Sequence, residues 1–266
     1  MGSTADRLER PDFNDPPVKE VAISARLDGP ALDLESIVEL SRSESASYPV
    51  STLAPPVQLL PELPTESPMP VFEMAAMSAL PVRLVRASDD GTKQVQFQQG
   101  LVGANWICSA DAAYPRFPAV RDEFVRIMQA YAAATGSPGD VRPAVLDVTY
   151  VNRESSPEAL ADPAGFFRQP SGPLQGNFAL EGFELNSSEV IFDDEIGFVG
   201  RVRKTAGVVT NNETGENAIQ LTISARIGGQ VLTDFDEAME YAHLVVVSGF
   251  VATTNPDWHI KWGKTG

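Results

Sequence analysis

Between Ala218 and Ile227 the side chains alternate without a break, Ile219, Leu221, Ile223, Ala225 and Ile227 against Gln220, Thr222, Ser224 and Arg226. That period belongs to an extended strand with one face buried and the other wet. The stretch from Phe198 to Val209 precedes it across Asn211-Asn212-Glu213-Thr214-Gly215, the composition of a hairpin loop. A long helix is expected next. Thr233 and Asp236 resemble a capping box, and Phe235, Met239, Ala242, Val246 and Phe250 fall on one helical face as far as Val251.

The same order occurs earlier in the chain. Val21, Ile23, Ala25 and Leu27 predict a strand, and Asp33 to Ser43 a short amphipathic helix. Val82 to Val85 and Gln94 to Ile107 read as strands around Ser88-Asp89-Asp90-Gly91, where Asp-Gly supplies the positive φ of a tight turn. Phe117, Val120, Phe124, Ile127, Met128 and Tyr131 then share one face of a helix that runs to Ala134 and is stopped by Gly136. Leu146, Val148 and Tyr150 open a second half. A loop rich in Pro, Ser and Gly follows to Gln175, and Phe178, Leu180 and Phe183 suggest a further strand with a bulge near Gly182.

The expected fold is therefore α+β, a mainly antiparallel sheet with two long packing helices and an order that repeats in two similar halves. Strands that follow one another in hairpins before each helix argue against parallel winding. The boundaries read as a flexible N-terminus over 1–16, a first half over 17–140 and a second half over 141–266. Eight prolines between 49 and 81 exclude regular helix there and predict a surface-wrapping arm within the first half.

Catalytic chemistry is poorly supplied. The 266 residues hold two histidines, His243 and His259, and one cysteine, Cys108. None of them stands at the spacing of a zinc site, a Cys-His nucleophile or a Ser-His-Asp triad. No cofactor and no metal is expected. Gly263-Lys264-Thr265 resembles the end of a phosphate loop but lacks its upstream glycine. Glu189, Asp193, Asp194 and Glu195 lack the ligand alternation and glycine of a calcium loop and read as a solvated acidic turn. The candidate ligand- or partner-binding residues are Asn152, Arg153, His243, Trp258 and Trp262. His243 borders the apolar stripe of the second long helix, as a core-edge histidine bonded to a neighbouring carbonyl or as a ligand contact. Asn152 and Arg153 close a strand, a usual place for a polar site. Trp258 and Trp262 flank His259 and either plug the core or form a binding hot spot.

Twenty Lys+Arg against 36 Asp+Glu leave a formal charge of −16. Such a surface repels phosphate backbones and anionic membranes, so neither nucleic acid nor membrane is expected as a partner. The densest basic stretch, Arg201-Val202-Arg203-Lys204, reads as one exposed strand face. A polar N-terminus, no spanning apolar run and a single unpaired cysteine together predict a cytoplasmic protein.

Several short pieces carry a resemblance: Trp106 to Tyr131 with Tyr114-Pro115-x-Phe117 and Phe124, Pro17-Val18-Lys19-Glu20-Val21, Val148-Thr149-Tyr150-Val151-Asn152, and His243 to Phe250 followed by Trp258. In this order they resemble a sporadically distributed family of uncharacterised prokaryotic proteins, often encoded near mobile-element, toxin–antitoxin or antiphage genes. The chain departs from that pattern at Asn105-Trp106-Ile107-Cys108, where the family more often has an aspartate-containing strand. The resemblance implies a cytoplasmic accessory protein and carries over no catalytic residue. With the charge, the missing nucleophiles and the proline-rich arm, the leading expectation is a non-enzymatic, acidic protein-binding partner, such as an antitoxin, immunity or defence-accessory protein. Its partner would be another protein, a basic effector for instance, and self-association into a homo-oligomer stays open. Two alternatives remain: a small-ligand-binding domain with a pocket between sheet and long helix near Asn152 and His243, and a carboxylate- or metal-dependent enzyme.

Overall fold

Residues 11–59, 82–109, 113–168, 184–193, 197–211, 214–228 and 234–265 are described by the structure, a computed structural model. The first half runs β2 (Val18–Asp28), α1 (Leu34–Ser43), β3 (Val50–Ala54), β4 (Arg83–Ala87), β5 (Lys93–Gln98), β6 (Leu101–Ile107) and α2 (Phe117–Ala134). The second runs β7 (Arg142–Glu154), α3 (Pro157–Ala161), β8 (Glu184–Asp193), β9 (Gly197–Thr210), β10 (Asn217–Gly228), α4 (Phe235–Thr253) and α5 (Pro256–Lys261). A short β1 (Asp12–Phe13) pairs with β11 (Lys264–Thr265).

The strands form one antiparallel sheet in the order β3-β4-β5-β6-β2-β7-β10-β9-β8. In each half the first strand lies beside the last strand of a meander, β2 against β6 and β7 against β10. The two halves meet at β2 and β7, where Ile23 stands opposite Val148. The sheet is continuous across this pair, with five strands from the first half and four from the second.

Most of the apolar alternation points to one face, while Leu101 and Val145 turn to the other and pack with Leu59. Val21, Ile23, Ala25, Val148, Ile223 and Ile227 are fully enclosed on the first face, beneath the helices. Burying each such branched side chain contributes about 1.5–3 kcal/mol, which explains why the period is so strictly kept. The opposite face is otherwise polar and internally bonded. Arg83 donates to Gln96 (2.7 Å), Gln96 to Asn105 (3.1 Å) and Asn105 to Glu20 (2.9 Å), a ladder across four strands. Asp147 accepts from Thr149, Ser224 and Arg226 on the same side.

The two long helices solve the packing differently. Setting their first residues, Phe117 and Phe235, in register places Val120, Phe124 and Tyr131 of α2 against Ala238, Ala242 and Gly249 of α4. Large side chains fill the space under α2, and Tyr131 is bonded from Gly100 N at 2.9 Å. Small ones bring α4 down onto the sheet. A Cβ at Gly249 would already lie 3.4 Å from Lys204 Cε and 3.5 Å from Ile223 Cγ2.

Several expectations are corrected. The segment after residue 10 is no loose lead-in, because Phe13 is buried and β1 is paired. The arm contains a strand: Pro49 and Pro55 bracket β3, an edge strand that needs partners on one side only, which prolines tolerate at its ends. Beyond it Val57 is clasped by the Gln98 amide through two bonds of 2.8 Å, and 60–81 lies outside the described residues. Gln94 to Ile107 is a hairpin, turned at Gly100 with φ of 66°. Helix α3 interrupts the loop expected before Gln175, and the strand expected at 178–183 lies outside the described residues. The second long helix is capped by Asp234, whose carboxylate accepts from Glu237 N at 3.0 Å, and begins at Phe235. Within the basic stretch Arg201 and Lys204 are buried, so it is not one exposed face.

Candidate functional site

Helices α2 and α4 run antiparallel across the sheet and touch at three points. Phe117 stacks on His243 with ring centroids 4.1 Å apart and planes 4° from parallel. Arg121 bonds Glu240 at 2.6 Å. Phe124 meets Phe235 at 6.0 Å. Beside these contacts a cleft of 710 Å³ opens between the helices. Val18, Tyr150 and Asn152 contribute from the helix-bearing face of the sheet, Leu244, Val247 and Phe250 from α4, and Phe13 from the segment before β2.

The approach to α2 shapes one wall. Arg116 takes φ of 72°, a strained position for a residue with a side chain. Its guanidinium there bonds Asp12 Oδ1 and the Phe13 carbonyl, both at 2.9 Å, and so holds the N-terminal segment against the cleft. The rim is acidic: Asp12, Asp234, Asp236, Glu237 and Glu240 line it, with Arg116 the one basic residue among the lining groups.

A hydrogen-bonded chain crosses the cleft. The hydroxyls of Tyr114 and Tyr150 lie 2.8 Å apart, and the Tyr150 hydroxyl lies 3.0 Å from His243 Nδ1. Burial pushes the Tyr114 phenol up to about 12 and raises Tyr150 well above its ordinary range. Desolvation holds His243 down to about 4, a shift partly offset by the charge of Asp12. None of these groups is poised near neutrality, where a general acid or base works best. At pH 7 the chain is neutral and offers fixed hydrogen-bonding positions in an apolar setting. Among the described residues no group of three His, Cys, Asp or Glu side chains is placed to hold a metal ion.

Of the candidate residues, the structure brings Asn152 and His243 together in this cleft. Asn152 is buried and donates to the Leu221 carbonyl at 3.2 Å. His243 is bonded to a phenol and not to a carbonyl. Arg153 is exposed and reaches Gln220 at 2.9 Å across the strand pair. Trp258 and Trp262 do not line the cleft but are buried in an aromatic cluster with Phe166 and with the cleft residues Phe13 and Phe250, and Trp262 Nε1 donates to Glu154 at 3.2 Å. Glu189 lies on β8 and pairs with Lys204 at 2.6 Å, so the acidic cluster is not a single turn; 194–196 lies outside the described residues. Lys264 belongs to β11, a strand and not a phosphate loop.

Sequence reasoning missed Tyr114, Phe117, Leu244 and Val247 as cleft residues. The one signal for the first two is the Tyr114-Pro115-x-Phe117 motif itself. No helix among the described residues is long and apolar enough to cross a membrane. No family model, curated protein or solved structure matches the chain.

Proposed function

We propose that the protein is a non-catalytic binding partner whose interhelical cleft takes an apolar polypeptide segment flanked by basic residues. One observation carries this: an apolar cleft of 710 Å³ edged by five carboxylates and one arginine. The apolar floor offers burial to leucine- or phenylalanine-sized side chains. The rim adds attraction for lysine or arginine, and the net charge of −16 steers such a partner from a distance. A basic effector, as an antitoxin or immunity protein would capture, fits the cleft if it presents such a segment. The neutral Tyr-Tyr-His chain favours recognition over turnover.

Fluorescence anisotropy with a short labelled peptide of alternating leucine and lysine is the test. The peptide is expected to bind, and more weakly as salt rises. Its leucine-glutamate counterpart is expected to bind at least about tenfold more weakly, a difference of about 1.4 kcal/mol. Val247→Asp, which places a charge against the apolar wall, should weaken the basic peptide by a similar factor. Equal affinity for both peptides would contradict the reading. Tight binding of a fatty acid with neither peptide bound would instead favour a small-ligand site.

A further inference from the structure

The Tyr114–Tyr150–His243 chain is more than packing, because it holds three hydrogens for two bonds and its direction decides which one is left for another partner. If Tyr114 donates to Tyr150 and Tyr150 donates to His243 Nδ1, both hydroxyl hydrogens are spent inside the chain. If His243 Nδ1 donates instead, the hydrogen left over is that of Tyr114, whose ring packs on Trp106 with centroids 5.2 Å apart. A phenol is the stronger donor and a bare imidazole nitrogen the stronger acceptor, so the first direction wins. It fixes the proton of the imidazole on Nε2.

That nitrogen has an open side. His243 lines the cleft, and the only sealed, unpaired side-chain nitrogen or oxygen among the described residues is Arg83 Nε. The stack on Phe117 fixes the plane of the ring and the Tyr150 bond fixes its rotation. We infer that His243 sets the register of the bound segment by donating its Nε2–H to one main-chain carbonyl, with Tyr114 and Tyr150 as positioning residues. This rests on the cleft reading above and adds to it a polar contact, indifferent to side-chain sequence, in an otherwise apolar groove. The low proton affinity of the buried imidazole keeps it in the neutral, single-donor form at physiological pH.

Two measurements test it. In the free protein, imidazole nitrogen shifts from NMR should report a protonated Nε2 and a bare Nδ1 for His243; the opposite tautomer overturns the inference. The leucine-lysine peptide is then scanned with single thioamides, which are poorer acceptors than amides. One position should weaken binding about three- to tenfold, the range of one net hydrogen bond, and the others should not. His243→Phe, which keeps the stack on Phe117, should lose a similar factor for the all-amide peptide and become insensitive at that position. Tyr150→Phe, which frees the ring, should blunt the same position while the protein stays folded. Binding that His243→Phe leaves unchanged overturns this inference alone. Failure of the native protein to bind the peptide overturns the cleft reading and the inference together.

Discussion

Truncating Phe124 to alanine is expected to remove about 3–5 kcal/mol of folding stability, the range for an aromatic deleted from a closed core. Phe124 is fully buried at the middle of α2 and packs against Phe235 of α4. It is one of the large side chains that fill the space under its helix, and no small neighbour in α2 can take its place. The counterpart in α4 is Ala242, also fully buried. Ala242→Phe should therefore destabilise as well, by about 1–3 kcal/mol, because α4 already sits close to the sheet. Urea unfolding of the two variants measures both. A loss below about 1 kcal/mol for Phe124→Ala would mean that the core can collapse around the gap, against the packing described.

Acid should destabilise the protein through His243. Its folded pKa, about 4, lies below the ordinary 6.5 because the ring is desolvated. The unfolded chain therefore binds a proton that the folded chain refuses, and stability falls as pH falls through this window. The contribution is complete above 6.5 and is lost as pH drops towards 4. A shift of this size corresponds to about 3 kcal/mol, and the open edge of the ring in the cleft brings the expectation to about 2–3 kcal/mol. Carboxylates titrate in the lower part of the window, so the quantity to read is a difference. Between about pH 7.5 and about pH 4.5, the native protein should lose more stability than His243→Phe by most of that amount. Parallel losses in the two proteins would place the imidazole in water.

Much of this architecture is legible in the sequence, for physical reasons that also mark the limits. Strand β10 reads clearly because helix α4 covers one of its faces and the other is polar. Helix α2 reads from Phe117 to Ala134 because Phe117, Val120, Phe124, Ile127 and Tyr131 all meet the core. Strand β8 is not legible. Ile191 is buried on it, while Val190 and Phe192 are exposed at the edge of the sheet, so no period builds up. Nor does any spacing announce that β2 pairs with β7, since joining two distant strands leaves no local mark. The cleft divides in the same way. His243 stands out beside an apolar stripe, and Asn152 as a polar residue late in a strand. Their company, Tyr114 from the segment before α2, Phe117 from its first turn and Phe13 from before β2, depends on tertiary placement. Trp258 and Trp262 have the composition of a hot spot, yet they close the end of the core with Phe166 and Phe250.

The most direct measurement is where a bound segment touches the protein. A photo-crosslinking residue placed at Val247, on the α4 wall of the cleft, is compared with one at Thr222, on the polar face of β10. With the leucine-lysine peptide, the cleft reading predicts adducts at Val247, suppressed by unlabelled peptide, and none above background at Thr222. Adducts at Thr222 equal to or above those at Val247 would move binding to the open face of the sheet and contradict the account.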